Sequence, residues 1–283
     1  MSHPAKVTAS SLALKKRRGQ KITMLTAYDF PLARMISLSQ VDVILVSDAV
    51  GTVGLGRPGA VSVTVDEMAY HTRACRNGAG PSMLVTTLPF GSYADPPQAV
   101  ESATRLVKEG GAEGVHIEAT ASDADVVHAV VDAGIPVMGH VGIIKQEIFR
   151  TGTIRIQGKT ATQASAIVQD ALELADAGCF ALVLECIPAP VAEVITRSIA
   201  IPTIGIGAGS SCDGQALVTQ DMLGLFKELS PRFLKVYVDL EDVIVDALSE
   251  FRKDVQTGRF PGPEHSYPIS EEELAALLTR LSE

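Results

Sequence analysis

The sequence predicts an α/β fold, a (β/α)8 TIM barrel with N-terminal and C-terminal helical extensions. Short aliphatic segments of strand length recur eight times along the 283 residues, and helical patterns lie between them. Strands that alternate with helices pair in parallel, and eight repeats favour closure into a barrel. Hydrophobic residues make up 46% of the chain and aromatic residues only 5%, which is typical of strands that are buried on both faces.

Eight segments are predicted to be the strands of this barrel. They are 22–28, 41–47, 82–88, 114–118, 135–139, 180–185, 201–206 and 233–238. The helix over 160–177 illustrates the connecting pattern. Thr160 and Gln163 have the spacing of a capping box, and Gly178 follows the last helical residue as a stop signal.

The chain is expected to form one domain in three consecutive parts. Residues 1–21 are predicted to be an N-terminal helical segment, 22–257 the barrel, and 258–283 a C-terminal extension. Within these parts, 241–256 is the predicted closing helix and 271–282 a final amphipathic helix.

The charge balance argues against a nucleic-acid partner. The chain has 24 Lys and Arg against 33 Asp and Glu, a net charge of −9, which repels a phosphate backbone. The one basic cluster is Lys15, Lys16, Arg17 and Arg18. We interpret it as the solvated last turn of the N-terminal helix, where cations favour the helix dipole.

Cysteine usage and hydropathy predict a soluble protein of the cytoplasm or an equivalent reducing compartment. Cys75, Cys179, Cys186 and Cys212 show no C-x-x-C spacing, so neither a disulfide framework nor a zinc finger is indicated. The sequence shows no signal-peptide pattern before the basic cluster and no apolar run as long as a membrane span requires.

Polar residues follow the predicted strands at the end where barrel enzymes carry their chemistry. They are Asp29, Asp48, Thr86, Thr87, His116, Glu118, His140, Glu185 and the glycine-rich run 205–209. Each also has a structural interpretation: a helix cap for Asp29, a hydrogen-bonded core histidine for His140, and a tight turn for the glycines. The long connections 49–64 and 143–159 follow the second and fifth strands and are predicted to be lids or substrate loops.

Carboxylates on three different strands are expected to converge, and buried carboxylates require a cation or a proton. His116 and Glu118 are two residues apart on one strand and point to the same side. Oxygen ligands alone would favour Mg²⁺, whereas a coordinating histidine would favour Zn, Mn, Fe or Co. Glu185 lies among aliphatic residues. It is either a general base or a structurally paired carboxylate.

Seven segments then resemble the ketopantoate hydroxymethyltransferase family in order and spacing. They are 25–29, 63–65, 70–72, 88–90, 139–142, 182–188 (LVLECIP) and 201–209 (IPTIGIGAG). The similarity covers roughly 22–268, and it implies a barrel of the phosphoenolpyruvate mutase and isocitrate lyase type that assembles as a homo-oligomer, usually a decamer.

The resemblance also implies a reaction. The family uses Mg²⁺ and 5,10-methylenetetrahydrofolate to add a hydroxymethyl group to the 2-oxo acid 3-methyl-2-oxobutanoate in pantothenate synthesis. Carried over by position, Asp48 and Glu118 would bind the metal, Asp48 would also contact the substrate, and Glu185 would be the catalytic base. The other positions implied to bind substrate are Ala49, Thr87, His116 and His140.

The chain departs from the family pattern within this site. Thr87 stands where the family has a second metal-binding Asp, His116 replaces a substrate-binding Lys, and Ala49 replaces a Ser. Residues 151–158 replace a Gly-Gly-Tyr-Lys-Val-Gln-Gly loop. His116 could then bind a softer metal or hydrogen-bond the substrate carboxylate.

Three hypotheses remain open from the sequence. The chain performs the family reaction or the same aldol-type chemistry on another 2-oxo acid. It catalyses a different enolate-based reaction, without folate, in a specialised pathway. It is a non-catalytic relative, which the presence of Asp48, Glu118 and Glu185 argues against.

Overall fold

The barrel is closed and entirely parallel in the computed structural model, which describes residues 5–144, 156–227 and 231–282. Each strand pairs with the next along the chain, and the last pairs with the first. The strands are β1 (Ile22–Thr26), β2 (Val43–Val46), β3 (Met83–Thr87), β4 (Gly114–Glu118), β5 (Val137–Gly142), β6 (Ala181–Glu185), β7 (Thr203–Ile206) and β8 (Gly214–Leu217). The predicted fold class is confirmed.

Eleven α-helices lie in the described residues. They are α1 (Ala9–Arg17), α2 (Phe30–Leu38), α3 (Val50–Val53), α4 (Val65–Arg76), α5 (Pro96–Arg105), α6 (Ala124–Asp132), α7 (Ala161–Asp176), α8 (Ala189–Ser198), α9 (Thr219–Met222), α10 (Leu240–Thr257) and α11 (Glu271–Leu281). A π-helical turn, Leu106–Gly110, continues α5. Among these helices, none is both long enough and apolar enough to cross a bilayer.

Alternate residues of each strand pack into two separate apolar layers, because successive side chains point to opposite faces. Met24, Leu45, Val85, Met138 and Val183 belong to the inner layer, inside the barrel. Their strand neighbours pack in the outer layer, against the helices. This alternation determines which residues at the strand ends face the barrel interior.

Helix α1 covers the amino-terminal end of the barrel. Leu12 is fully buried and belongs to the inner apolar layer. The interpretation of the adjacent basic cluster as a solvated turn is wrong for two of its residues. Lys15 Nζ lies 2.5 Å from Asp42 Oδ1, and Lys16 Nζ lies 2.9 Å from Asp213 Oδ2. These carboxylates precede β2 and β8, so the lysines link the helix to the barrel.

The eighth strand is not where the aliphatic pattern placed it. Residues 233–238 lie in an irregular segment with Tyr237 61% exposed, whereas β8 is the nearly featureless sequence Gly-Gln-Ala-Leu over Gly214–Leu217. Gly214 is required at this position, because a Cβ there would lie 2.5 Å from the carbonyl oxygen of Ile22. Close backbone approach to β1 thus closes the barrel without an aliphatic run.

Candidate active site

Five buried polar side chains belong to the inward-facing series at the carboxyl ends of β3 to β6. Thr87 is level with His116 on the neighbouring strand, and Glu118 is level with His140. Glu185 ends β6, two residues beyond Val183 of the inner layer. None of the five is more than 5% exposed. The carboxyl end of a parallel barrel is where enzymes of this architecture bind substrate.

A continuous series of hydrogen bonds joins side chains of β3, β4 and β5, and its last member lies close to Glu185 of β6. Thr87 Oγ1 lies 3.0 Å from His116 Nδ1, and His116 Nε2 lies 3.1 Å from His140 Nδ1. His140 Nε2 donates to the carbonyl oxygen of Ile143 at 2.8 Å. The same nitrogen lies 3.6 Å from Glu185 Oε2. Every ring nitrogen of the two histidines therefore has a polar neighbour.

Asp48 and Ala49 lie at the same end of the barrel, directly after β2. Asp48 is 4% exposed, and its backbone carbonyl accepts a hydrogen bond from Gly51. Ala49 precedes the short helix α3. Because Val46 is level with Thr86 of β3, these two residues are one strand away from Thr87.

Two other strand-end side chains have partners outside this cluster, and the glycine run has a conformational explanation. Asp29 caps α2, since its side chain accepts a hydrogen bond from the Leu32 amide at 2.8 Å. Thr86 faces outward and bonds to Thr72 of α4 at 2.9 Å between the hydroxyl oxygens. Gly207 and Gly209 have φ values of +64° and +86°. The structural interpretations of Asp29 and the glycine run are supported by this geometry.

Gly142 brings the end of β5 against the backbone of Glu185. Its φ is +104°, and a Cβ at this position would lie 2.3 Å from the carbonyl oxygen of Glu185. The following amide, that of Ile143, donates to the same carbonyl at 3.1 Å. The absence of a side chain at position 142 therefore allows the contact that places the Glu185 backbone.

Two features of the site were missed from the sequence. Cys186, directly after Glu185, has a φ of +52°, a left-handed conformation that is costly for a non-glycine residue and tends to cluster at functional sites. Tyr28 Oη lies 2.9 Å from Ser47 Oγ at the ends of β1 and β2. No local sequence pattern predicts a left-handed cysteine or a tyrosine–serine hydrogen bond. The only signal for Cys186 and Tyr28 is that both lie in segments that resemble the family.

The connection 49–64 is fixed to α4 by an ion pair. Arg57 Nη1 lies 3.1 Å from Glu67 Oε2, and that carboxylate also accepts from the Thr64 amide at 2.9 Å. The Arg57 guanidinium, more than the Thr64 amide, lowers the pKa of Glu67 to about 2. In the other predicted loop, 143–159, residues 145–155 lie outside the described residues. The Gln157 amide beyond them donates to the Cys186 carbonyl at 3.3 Å.

The donor set of the site fits a hard divalent cation that shares its coordination with substrate and water. Asp48 and Glu118 supply buried carboxylate oxygens, and Mg²⁺ commonly binds one or two carboxylates while it keeps other positions for ligands and water. Within the described residues, no group of three His, Cys, Asp or Glu side chains could hold a metal ion by itself. His116 is unsuited to the role, because both of its ring nitrogens are engaged by Thr87 and His140.

A closed parallel barrel with buried acid–base groups at the carboxyl ends of its strands defines a (β/α)8-barrel enzyme. A model of the family described as ketopantoate hydroxymethyltransferase matches residues 6–263. The chain belongs to this family, and the resemblance inferred from its sequence is confirmed.

Individual relatives agree with this assignment. A 3-methyl-2-oxobutanoate hydroxymethyltransferase of Moorella thermoacetica is 46% identical over 268 residues, covering 94% of this chain and 100% of the relative. One of Heliobacterium modesticaldum is 44% identical, covering 94% and 97%. The fold is similar to a crystal structure of 2,3-dimethylmalate lyase, a member of the PEP mutase/isocitrate lyase superfamily, with a TM-score of 0.57 and 12% identity over 96% of this chain and 98% of that one.

Proposed function

We propose that this enzyme transfers a hydroxymethyl group from 5,10-methylenetetrahydrofolate to 3-methyl-2-oxobutanoate, with Glu185 as the catalytic base. The observation that carries the proposal is the buried Glu185 carboxylate at the carboxyl end of the barrel, beside the His140 imidazole. It occurs in a chain that matches relatives named for this reaction over nearly their whole length.

Glu185 takes the proton from C3 of the 2-oxo acid. This proton is acidic because it lies next to the carbonyl carbon, so that the electron pair left behind is shared with the 2-oxo oxygen. Carbon 3 then forms the new bond to the one-carbon unit, whose two bonds to nitrogen break. Water supplies the hydroxyl group, and tetrahydrofolate leaves with the proton taken from C3 and one proton from the water. The His140 Nε2–H group, 3.6 Å from Glu185 Oε2, orients the carboxylate before it accepts the proton.

Asp48 and Glu118 are the residues that would hold a divalent ion, and their oxygen donors favour Mg²⁺ over a softer metal. When bound, such an ion would supply Lewis-acid stabilisation of the negative charge that develops on the substrate's 2-oxo oxygen. Asp48 also borders the substrate in this proposal. The substrate carboxylate lies toward the ends of β2 to β5, bordered by Ala49, Thr87, His116 and His140.

The proposal is tested with Glu185→Gln, because an amide cannot accept the C3 proton. Exchange of that proton with deuterated solvent, followed by proton NMR, should fall by about 10²–10⁴-fold or more. Glu193→Gln is the matched control, since Glu193 is an exposed carboxylate on α8 that pairs with Arg197. Native exchange in a folded Glu185→Gln protein would contradict the assignment.

A second candidate function is favoured by one observation. The hydrogen-bonded pair Thr87–His116 occupies the positions where the family pattern has Asp and Lys, which supports enolate-based chemistry on a different 2-oxo acid without folate. C3 exchange across a panel of 2-oxo acids, followed by product analysis with and without the folate donor, separates the two. Exchange with none of the acids would instead indicate a non-catalytic relative.

We also propose that the enzyme works as a cytoplasmic homo-oligomer, a decamer by family resemblance. Helices α10 and α11 bury none of their residues within the protomer, and Leu248 and Phe251 are 63% and 57% exposed. Such apolar surface is typical of subunit contacts. Light scattering coupled to size exclusion measures the assembly directly, and a monomeric mass at micromolar concentration would refute this part.

A further inference from the structure

We propose that Thr87 and His116 are positioning residues that act on Glu185 through His140. Together with the Ile143 carbonyl, they keep the hydrogen of the His140 ring on Nε2, the nitrogen that lies 3.6 Å from the carboxylate of the base. This inference rests on the proposed function only where it takes Glu185 as the base. The arrangement of protons along Thr87, His116 and His140 follows from the hydrogen bonds of two neutral imidazole rings.

The Ile143 carbonyl sets the direction in which hydrogen is donated along the series. The carbonyl oxygen of Ile143 can only accept, so His140 Nε2, 2.8 Å away, must carry a hydrogen. In a neutral imidazole the other nitrogen then has a lone pair, and His140 Nδ1 accepts. Its partner at 3.1 Å, His116 Nε2, must therefore be the donor.

The same reasoning extends to Thr87. With its hydrogen on Nε2, neutral His116 presents a lone pair at Nδ1, and the Thr87 hydroxyl at 3.0 Å donates to it. A threonine hydroxyl can fill this role because it rotates to suit its partner. All three bonds thus run one way, from the β3 hydroxyl through the β4 ring to the β5 ring, and each buried nitrogen is satisfied.

The orientation matters because His140 Nε2 faces two oxygens: it donates to the Ile143 carbonyl at 2.8 Å, and Glu185 Oε2 lies 3.6 Å away, beyond hydrogen-bond distance. If His140 carried its proton on Nδ1 alone, a bare nitrogen would face both oxygens. A hydrogen bond made by one nitrogen decides which form the other adopts. Thr87 and His116 thereby help to keep a hydrogen, and not a lone pair, on the nitrogen that faces the base.

The pair also has a consequence for the family comparison. Thr87 and His116 are level with each other on adjacent strands, so replacing the pattern's Asp and Lys there removes an anion and a cation together and leaves a neutral hydrogen-bonded pair. His116 in this arrangement is neither a metal ligand nor a cation for the substrate.

The first test uses the full-length protein with ¹⁵N-labelled histidine and needs no substrate. Long-range ¹⁵N–¹H correlation spectra at neutral pH should show both His116 and His140 with hydrogen on Nε2 only, with His116→Gln and His140→Gln spectra providing the assignment. A His116 ring with hydrogen on Nδ1, or either ring with hydrogen on both nitrogens, would overturn the proposed direction.

The second test compares Thr87→Val, which keeps the shape but removes the hydroxyl, with Thr87→Ser, which keeps the hydroxyl. Thr87→Val should change the ¹⁵N shift of His116 and lower kcat for C3 exchange roughly 10- to 100-fold, the range seen when outer partners that orient a site residue are lost, with little change in KM. Thr87→Ser should keep both the ¹⁵N shift of His116 and kcat close to their native values.

Thr86→Val is the matched control. Thr86 neighbours Thr87 in the same strand but bonds outward to Thr72, so its loss should leave the rate of C3 exchange unchanged. Native exchange in Thr87→Val would refute the positioning role. If the histidine spectra are as expected while Glu185→Gln exchanges like the native enzyme, the hydrogen-bond series stands and the proposed function fails.

Discussion

The contact between Gly142 and the Glu185 backbone leads to a specific prediction for Gly142→Ala. A Cβ at this position would lie 2.3 Å from the Glu185 carbonyl oxygen and 2.8 Å from Ile187 Cγ2, whereas ordinary contacts begin at 3.4 Å. The nearer atom is backbone and has no rotamer to change. Relief of the clash therefore moves the end of β6, and the base with it, by about 1 Å.

The expected loss follows from this displacement. A misplacement of about 1 Å in a reacting group costs on the order of 10²-fold in rate. The left-handed backbone adds roughly 1–2 kcal/mol of instability for any residue with a side chain. Gly134→Ala separates the two effects, because Gly134 has a φ of +83° but no atom within 4 Å of the added Cβ.

The assay measures C3 exchange and thermal unfolding for the native protein and both variants. Gly134→Ala should exchange at the native rate and melt a few degrees lower, about 2–6 °C. Gly142→Ala should melt lower still and exchange about 10²-fold more slowly. If Gly142→Ala matched Gly134→Ala in both measurements, the contact at position 142 would not position the base.

Three further predictions concern stability and the altered site. Leu12→Ala should lower the free energy of unfolding by about 2–5 kcal/mol through the cavity it leaves, while Leu14→Ala, exposed on the same helix, should cost little in a denaturant titration. The pKa of Glu67 is lowered to about 2, so its contribution is present above the ordinary value of 4.5 and lost as the pH falls through 2. Glu67→Gln should therefore destabilise the protein at pH 7 more than at pH 2 in thermal melts. Thr87→Asp combined with His116→Lys replaces the neutral pair by an ion pair and removes the imidazole that bonds to His140 Nδ1, so Mg²⁺-dependent hydroxymethyl transfer to 3-methyl-2-oxobutanoate should fall. Increased transfer by this double variant would instead refute the positioning role of Thr87 and His116.

The sequence alone determined the fold class and the end of the barrel that carries the site. Buried parallel strands need continuous aliphatic residues, so segments such as 180–185 could be recognised without any knowledge of their partners. The positions of His116, Glu118, His140 and Glu185 followed from the same pattern, because each lies in the carboxyl-terminal half of a recognisable strand or at its end.

Tertiary structure alone decided β8, the role of Lys16 and the partners of His116. The strand Gly214–Leu217 is specified by close approach to β1 and not by hydrophobicity, so the aliphatic pattern predicts the eighth strand at 233–238 instead. The sequence predicts a solvated Lys16, but closure of the barrel places Asp213 within ion-pair distance of its ammonium group. His116 meets Thr87 and His140 only through the register of three strands, and register is a property of the closed barrel. Local sequence patterns report how much of a residue is buried, whereas the partner it meets depends on segments distant in the chain.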